Sequence, residues 1–258
     1  MTVAIRDQNQ PLRVGAVLGA AFHALGHHAI VMFVIAFIVI GPPDFLLADL
    51  INGYRQAAID AGSTNRGITL LSFLITVALQ SLASSALLLP VMRDREGGAA
   101  GLTESLGVLA RQAPRLIGVA ILYAIGLTIS LVMLLVPFFF VATSWAAVPA
   151  VAAAETVGVN GAFRRGKALM QGSRTRILGI ALVTFALLVM ISFLTLMVGF
   201  LAVGEDAFTF TTRPGILAID AIGSTIGGAV CGAVQCALYL ELRDRKDGPS
   251  EQLDVIFS

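Results

Sequence analysis

The sequence predicts an all-α fold: a polytopic integral membrane bundle of six transmembrane helices, with three cytoplasmic interfacial amphipathic helices. Three observations carry that expectation. Hydrophobic residues fill 57% of the 258 positions and charged residues only 13%, and the mean hydropathy is +0.88, outside the range of soluble domains. Long apolar runs recur along the whole chain, separated by short polar segments. The charges are also unevenly placed. Of the 17 Lys and Arg residues, 14 fall in the N-terminus, two linkers and the C-terminal tail, while Arg55, Arg66 and Arg213 fall on the opposite side. The positive-inside bias then places both termini and all three interfacial helices in the cytoplasm. The net charge of +1 conceals this asymmetry.

The N-terminal residues are polar, and the first long apolar run begins only at Ala29, so the first span is expected to stay as an anchor rather than be cleaved. Leu12 to His27 reads as the first interfacial helix, with Val14, Val17, Leu18, Ala21, Phe22 and Leu25 on one arc and Arg13, His23 and His27 opposite. His23 and His27, one turn apart, with His28 following, have the spacing of paired imidazole ligands. No carboxylate or cysteine stands near them, so they are expected to flank a span at the headgroup boundary and to bind no metal.

The first span runs from about His28 to Ile40, where Gly41, Pro42 and Pro43 interrupt it, because proline lacks the N–H a helix needs. Beyond them, Leu46, Leu47, Leu50, Tyr54, Ala57 and Ala58 cluster against Asp49, Asn52, Gln56 and Asp60, which suggests an outer amphipathic helix or the continuation of a kinked span. Gly67 to Val91 is the second span, 25 residues long, enough for about 30 Å of hydrocarbon at about 1.5 Å per residue. Within it Thr76, Gln80 and Ser84 form one polar stripe at successive one-turn spacings, which should face the bundle.

Met92 to Arg115 contains the second interfacial helix, with Leu102, Leu106, Leu109, Ala110 and Ala113 opposite Glu104, Arg111 and Arg115. Leu116 to Val136 makes the third span, and Pro137 opens the fourth after almost no loop. The fourth ends at Glu155. The third interfacial helix follows Gly158: Ala162, Phe163, Gly166, Leu169 and Met170 share one arc, while Arg164, Arg165, Lys167 and Gln171 take the other. Gly172 is placed to end it and Arg174 and Arg176 to anchor the next span. Arg164, Arg165, Lys167, Arg174 and Arg176 are therefore candidate lipid contacts, each basic residue at an anionic surface contributing about 1 kcal/mol.

Ile177 to Val203 forms the fifth span and Ile216 to Leu240 the sixth, joined by a loop with Glu205, Asp206 and the Arg213, Pro214, Gly215 turn. Asp220 stands out as a carboxylate inside an apolar run. It shares a narrow arc with Ser224, Gly227, Gly228, Cys231 and Gln235, opposite Ile222, Ile226, Ala229, Ala233 and Leu240. This polar, small face is expected to meet Thr76, Gln80 and Ser84. Cys231 and Cys236 lie about 140° apart on a helix and cannot bridge each other. They read as small buried residues.

The chain is expected to form a single membrane domain, 1–258. Amphipathic helix followed by two spans recurs at about 12–91, 102–154 and 159–240, with Arg115 to Gly118 set against Arg176 to Gly179. That recurrence reads either as a three-fold repeat or as the interfacial linkers that any chain of hairpins needs.

Glu155, Gly158, Gly161, Ala162, Phe163, Arg164, Arg165, Gly166, Leu169, Gly172, Arg176, Ile177, Leu178, Gly179 and Ile180, followed at the C-terminus by Tyr239, Glu241, Leu242, Arg243, Arg245, Lys246, Asp247 and Gly248, form a pattern. It resembles the signature of a bacterial six-helix family, the glycerophosphoryl diester phosphodiesterase membrane domain and its stand-alone relatives. The likeness covers most of the chain in layout and about forty residues in letters. Gly166 replaces the family's usual serine and Glu241 its usual aspartate. The resemblance implies the fold and a bacterial cytoplasmic (inner) membrane, but no phosphodiesterase activity, since that chemistry belongs to a separate barrel of about 250 residues.

No phosphate-cradling glycine loop, nucleophile elbow or metal quartet occurs, and Glu155 and Asp220 have no partner at catalytic spacing. No catalytic residue, cofactor or metal is therefore expected, nor a nucleic-acid partner. The leading functional reading is a non-catalytic membrane module acting through lipid or another membrane protein, which expects a dry core. The alternative is a transporter or exporter of a small or amphiphilic solute, which expects a polar cavity bounded by Asp220, Ser224, Cys231, Gln235, Thr76, Gln80 and Ser84.

Overall fold

A computed structural model describes residues 12–60, 66–98, 101–133, 135–203 and 214–247. Among them are ten helices: α1 (Val14–His27), α2 (Ala29–Asp60), α3 (Arg66–Ala86), α4 (Leu88–Arg95), α5 (Leu102–Met133), α6 (Leu135–Trp145), α7 (Val148–Ala154), α8 (Val159–Met170), α9 (Arg174–Val203) and α10 (Pro214–Asp247). Six segments are long and apolar enough to cross a membrane: Ala29–Tyr54, Gly67–Arg95, Leu102–Met133, Pro137–Ala154, Arg174–Ala202 and Gly215–Asp247. The chain is an all-α polytopic membrane bundle. The loop residues Glu205, Asp206 and Arg213, and Gly248, lie outside the described residues.

The first span differs from its expected form. Pro42 and Pro43 sit inside α2, which continues for 32 residues without a break. A proline pair removes two helical N–H donors, yet a membrane helix tolerates this where neighbouring elements re-satisfy the freed groups. On the far half of α2, Leu46, Leu50 and Tyr54 of the apolar arc are exposed, whereas Asp44 is buried. Lipid is the solvent here, so the apolar face turns out and the polar residues turn in.

The second span is two helices. α3 ends at Ala86 and α4 begins at Leu88, around Leu87. Pro90 cannot donate to Ala86, so the ladder is interrupted where the helix would otherwise run on. The second amphipathic segment is no separate helix: Leu102 to Ala113 forms the opening turns of α5, which passes through Pro114 into the third span. The fourth span is likewise split into α6 and α7, with Val148 and Pro149 opening α7.

α10 lies at the centre, packed against α1, α2, α3 and α9. Tyr239, Leu238 and Leu242 on its last turns are nearly inaccessible. α1 buries Val17, Ala21, Ala24 and Leu25 against this bundle, but Phe22, expected on that arc, is exposed. α8 buries Ala162, Gly166, Leu169 and Met170. A Cβ on Gly166 would stand 2.7 Å from Val148 Cγ2, so glycine lets α8 lie close on α7. After Met170, Gly172 adopts φ +90°, the left-handed conformation that ends a helix. α9 is the most peripheral span, exposing Leu182, Phe185, Val189, Met190, Phe193 and Leu194.

Candidate functional site

Between α2, α3, α9 and α10 lies a cavity of about 940 Å³. α2 contributes Asp44 and Asn52, α3 Thr76 and Gln80, α9 Ser192 and Thr195, and α10 Asp220 and Ser224. Ile40, Leu47, Phe73, Leu188 and Ile219 supply apolar wall between them. Each span is therefore amphipathic in the membrane sense, with a narrow polar strip turned from lipid. Asp44 is buried, and its carboxylate takes a hydrogen bond from the Ser224 hydroxyl. Asp220, one turn nearer the start of α10 than Ser224, is exposed at the edge of the same cavity and stands within electrostatic range of Asp44.

The deep end is closed by close packing. Gln80 donates from Nε2 to the Gly228 carbonyl at 3.1 Å. A Cβ on Gly228 would lie 2.2 Å from Ile40 Cδ1 and 3.0 Å from Gln80 Oε1. One turn on, a Cβ on Gly232 would lie 3.2 Å from Ser84 Cα and 2.7 Å from Leu87 Cδ1, and Cys236 Sγ donates to the Ser84 carbonyl at 3.2 Å.

The expected polar stripe is thus divided. Asp220, Ser224, Thr76 and Gln80 share the cavity, as the sequence suggested. Ser84 is fully buried and bonds back to the Gln80 carbonyl at 2.9 Å below the cavity floor. Cys231 and Gln235 pair with each other at 3.5 Å, with Cys231 beside Tyr123 of α5. The stripe follows one arc of α10, but that arc passes from the cavity to the α3 and α5 contacts as the helices cross. Asp44 was missed because the proline pair placed it outside the first span. Its signal is a carboxylate that immediately follows an uncharged run beginning at Ala29.

A second polar centre lies at the other end of the bundle. Arg165 on α8 donates from Nε to Glu155 at 3.1 and 3.2 Å and pairs with Asp247 through Nη2. Burial works against this guanidinium's charge, but Glu155 and Asp247 beside it hold it above its ordinary value. Tyr239 donates to the same Glu155 at 3.3 Å. Arg95 reaches Asp244 at 3.0 Å, Arg245 pairs with Glu241 at 2.8 Å, and Lys246 Nζ donates to the Ala168 carbonyl. Of the five candidate lipid contacts, Arg165 is thereby committed to protein carboxylates. Arg164, Lys167, Arg174 and Arg176 are exposed, and the Arg174 guanidinium sits 5.3 Å over the Phe140 ring.

The histidines also differ from expectation. Asp94, at the end of α4, meets all three: its Oδ2 accepts from His23 Nδ1 at 3.0 Å, its Oδ1 from His27 Nδ1 at 3.0 Å, and His28 Nε2 stands 3.4 Å from Oδ1. The expectation that no carboxylate stands near them is corrected by the fold, because packing of α1 against α4 closes a gap of about seventy residues in sequence. Compared with known proteins, the chain matches no family model, no curated protein and no solved structure.

Proposed function

We propose that this chain is a membrane transporter or exporter that binds a small amphiphilic cation in the cavity between α2, α3, α9 and α10. One observation carries this reading: the fold joins Asp44 and Asp220, from different spans, in one cavity of about 940 Å³ with apolar walls and no lysine or arginine among its described lining residues. That volume falls within the range of about 300–1,000 Å³ usual for small-molecule sites. Carboxylates within a bilayer are costly unless a positive charge, a hydrogen bond or water compensates them, so a cationic group is the ligand their placement favours. The apolar walls suit an attached hydrocarbon or ring. Nothing in this function requires a bond to be made or broken.

The test is reconstitution of the full chain in proteoliposomes and measurement of tetraphenylphosphonium uptake under an imposed membrane potential. Saturable uptake that falls about tenfold in Asp44→Asn and Asp220→Asn, with helicity and size-exclusion profile unchanged, is the expected result. Uptake equal to that of protein-free vesicles, or untouched by both substitutions, would overturn it.

The other reading, a non-catalytic module acting through lipid or a partner protein, rests on α9. Only 17% of its apolar window is buried inside the bundle, against 50% for α10, leaving a broad apolar face for lipid or another membrane protein. Residue-specific photocrosslinking from Phe185 and Phe193 in native membranes distinguishes the two occupants: adducts with one protein species support the module, and lipid adducts alone do not.

The placement that accompanies both readings is a bacterial cytoplasmic membrane with the termini, α1 and α8 on the cytoplasmic side. The distribution of Lys and Arg supports it.

A further inference from the structure

Outside the cavity, the structure gathers three imidazoles on one carboxylate. The arginines flanking Asp94 are turned to other acids: Arg93 to Glu96 and Glu104 at 3.5 and 3.4 Å, and Arg95 to Asp244 at 3.0 Å. Asp94 is left facing the histidines, its side chain only 6% exposed. His28 is also enclosed, at 9% side-chain exposure. Its Nε2 is buried without a hydrogen bond among the described residues, although it points to within 3.4 Å of Asp94 Oδ1. A buried nitrogen in that position is costly as a bare acceptor but apt as a metal ligand.

The spacing agrees. His27, His28 and Asp94 offer ligand atoms that all lie within 4.8 Å of one another. Around a tetrahedral zinc ion with bonds of about 2.0–2.2 Å, ligand atoms stand about 3.3 Å apart. The observed 3.0 Å from His27 Nδ1 to Asp94 Oδ1 and 3.4 Å from His28 Nε2 bracket that value. The remaining carboxylate oxygen is held by His23 Nδ1, the kind of outer hydrogen bond that orients a ligating carboxylate.

We propose that His27 Nδ1, His28 Nε2 and Asp94 Oδ1 bind one divalent transition-metal ion, with His23 positioning Asp94. Two imidazoles and one carboxylate select an ion of the zinc, cobalt or nickel type over magnesium or calcium, which prefer all-oxygen shells. Three protein ligands leave one position for water. His23 and His27 are 70% and 67% exposed, so an ion has direct access from solvent at this end of α1. The site ties the α1–α2 junction to α4, and its residues are not those of the cavity.

The experiment uses tag-free, full-length protein in detergent, stripped with chelator and titrated with Co²⁺ as a spectroscopic probe, then with Zn²⁺ in competition. One Co²⁺ per chain, with the intense visible absorption of a four-coordinate site and stoichiometric displacement by Zn²⁺, is expected. His27→Ala and His28→Ala should each abolish that absorption, and His23→Ala should weaken binding by about 10–100-fold. Because His27 is largely exposed, its removal leaves the fold intact even where His28→Ala aggregates, and His27→Ala then decides. Absence of saturable binding, or binding that His27→Ala leaves unchanged, would show that Asp94 merely clasps the histidines by hydrogen bonds.

Discussion

Tyr239 donates its hydroxyl to Glu155 at 3.3 Å, linking the last turns of α10 to the residue that ends α7 across 84 positions of sequence. Glu155 accepts at the same time from Arg165. The tyrosine ring is wholly buried, so its hydroxyl has little alternative to this carboxylate. Tyr239→Phe should lower stability in detergent by about 1 kcal/mol, the usual net value of one internal hydrogen bond. Glu155→Ala should cost more, because it orphans the hydroxyl and also leaves the Arg165 guanidinium with Asp247 alone. Thermal unfolding followed by circular dichroism orders the two variants.

The basic residues of α8 should separate into two classes. Arg165 is paired within the protein, whereas Arg164 and Lys167 are exposed. Arg165→Ala is expected to lower the melting temperature, while Arg164→Glu with Lys167→Glu should leave it nearly unchanged and weaken association with anionic lipid in nanodiscs of mixed composition. Equal melting temperatures for the two variants would place Arg165 with the surface charges.

Gly126 should tolerate no side chain. A Cβ there would stand 2.1 Å from Trp145 Cζ3, and the indole is already held by Phe163 at 4.9 Å between ring centroids. Gly126→Ala must therefore displace the ring, at about 1–3 kcal/mol for overpacking. Trp145 is the only tryptophan, so the displacement is read directly as a shift of its emission maximum. An unshifted spectrum and unchanged melting would mean that α5 and α6 can separate freely.

Much of this molecule was legible in its sequence because lipid imposes simple demands. An apolar run such as Ile177 to Val203 must be a helix, and α9 is one. Gly172 was recognisable as a helix end, and Asp220, Ser224, Thr76 and Gln80 as neighbours, from one-turn spacings alone. What stayed hidden needed two elements at once. Asp94 is distant in sequence from His23, His27 and His28, and its local neighbours Arg93 and Arg95 suggest a surface charge run. Asp44 was masked by a rule learned from soluble helices, in which two prolines mean an end. The second amphipathic segment looked separate because its polar residues contrast with the third span and Pro114 stands between them, yet α5 runs through that proline.

The floor of the cavity yields a coupling prediction. Gly228→Ala should be destabilising through its clash with Ile40, and Ile40→Ala should recover part of that loss by vacating the space. A non-additivity of about 0.5–3 kcal/mol is expected for residues in such contact. Additive effects in the double variant would show that the floor relaxes without meeting Ile40.

Topology gives a last expectation. A reporter fused after Lys246 and another inserted between Ser63 and Arg66 should report opposite sides of the membrane, following the division of basic residues. The same side for both would refute the odd number of membrane crossings, five, between the two positions.

The two prolines of α2 have a mechanical consequence. Pro42 and Pro43 delete consecutive rungs from the backbone ladder immediately before Asp44, so resistance to bending is lowest at that level of the helix. The stretch beyond them, through Leu47, Ile51 and Asn52, forms one wall of the cavity, so a bend at the prolines would carry that wall with it. Under the proposed function, a cation at Asp44 would sit beside the most bendable point of α2, where a small local change moves the far wall of the cavity most.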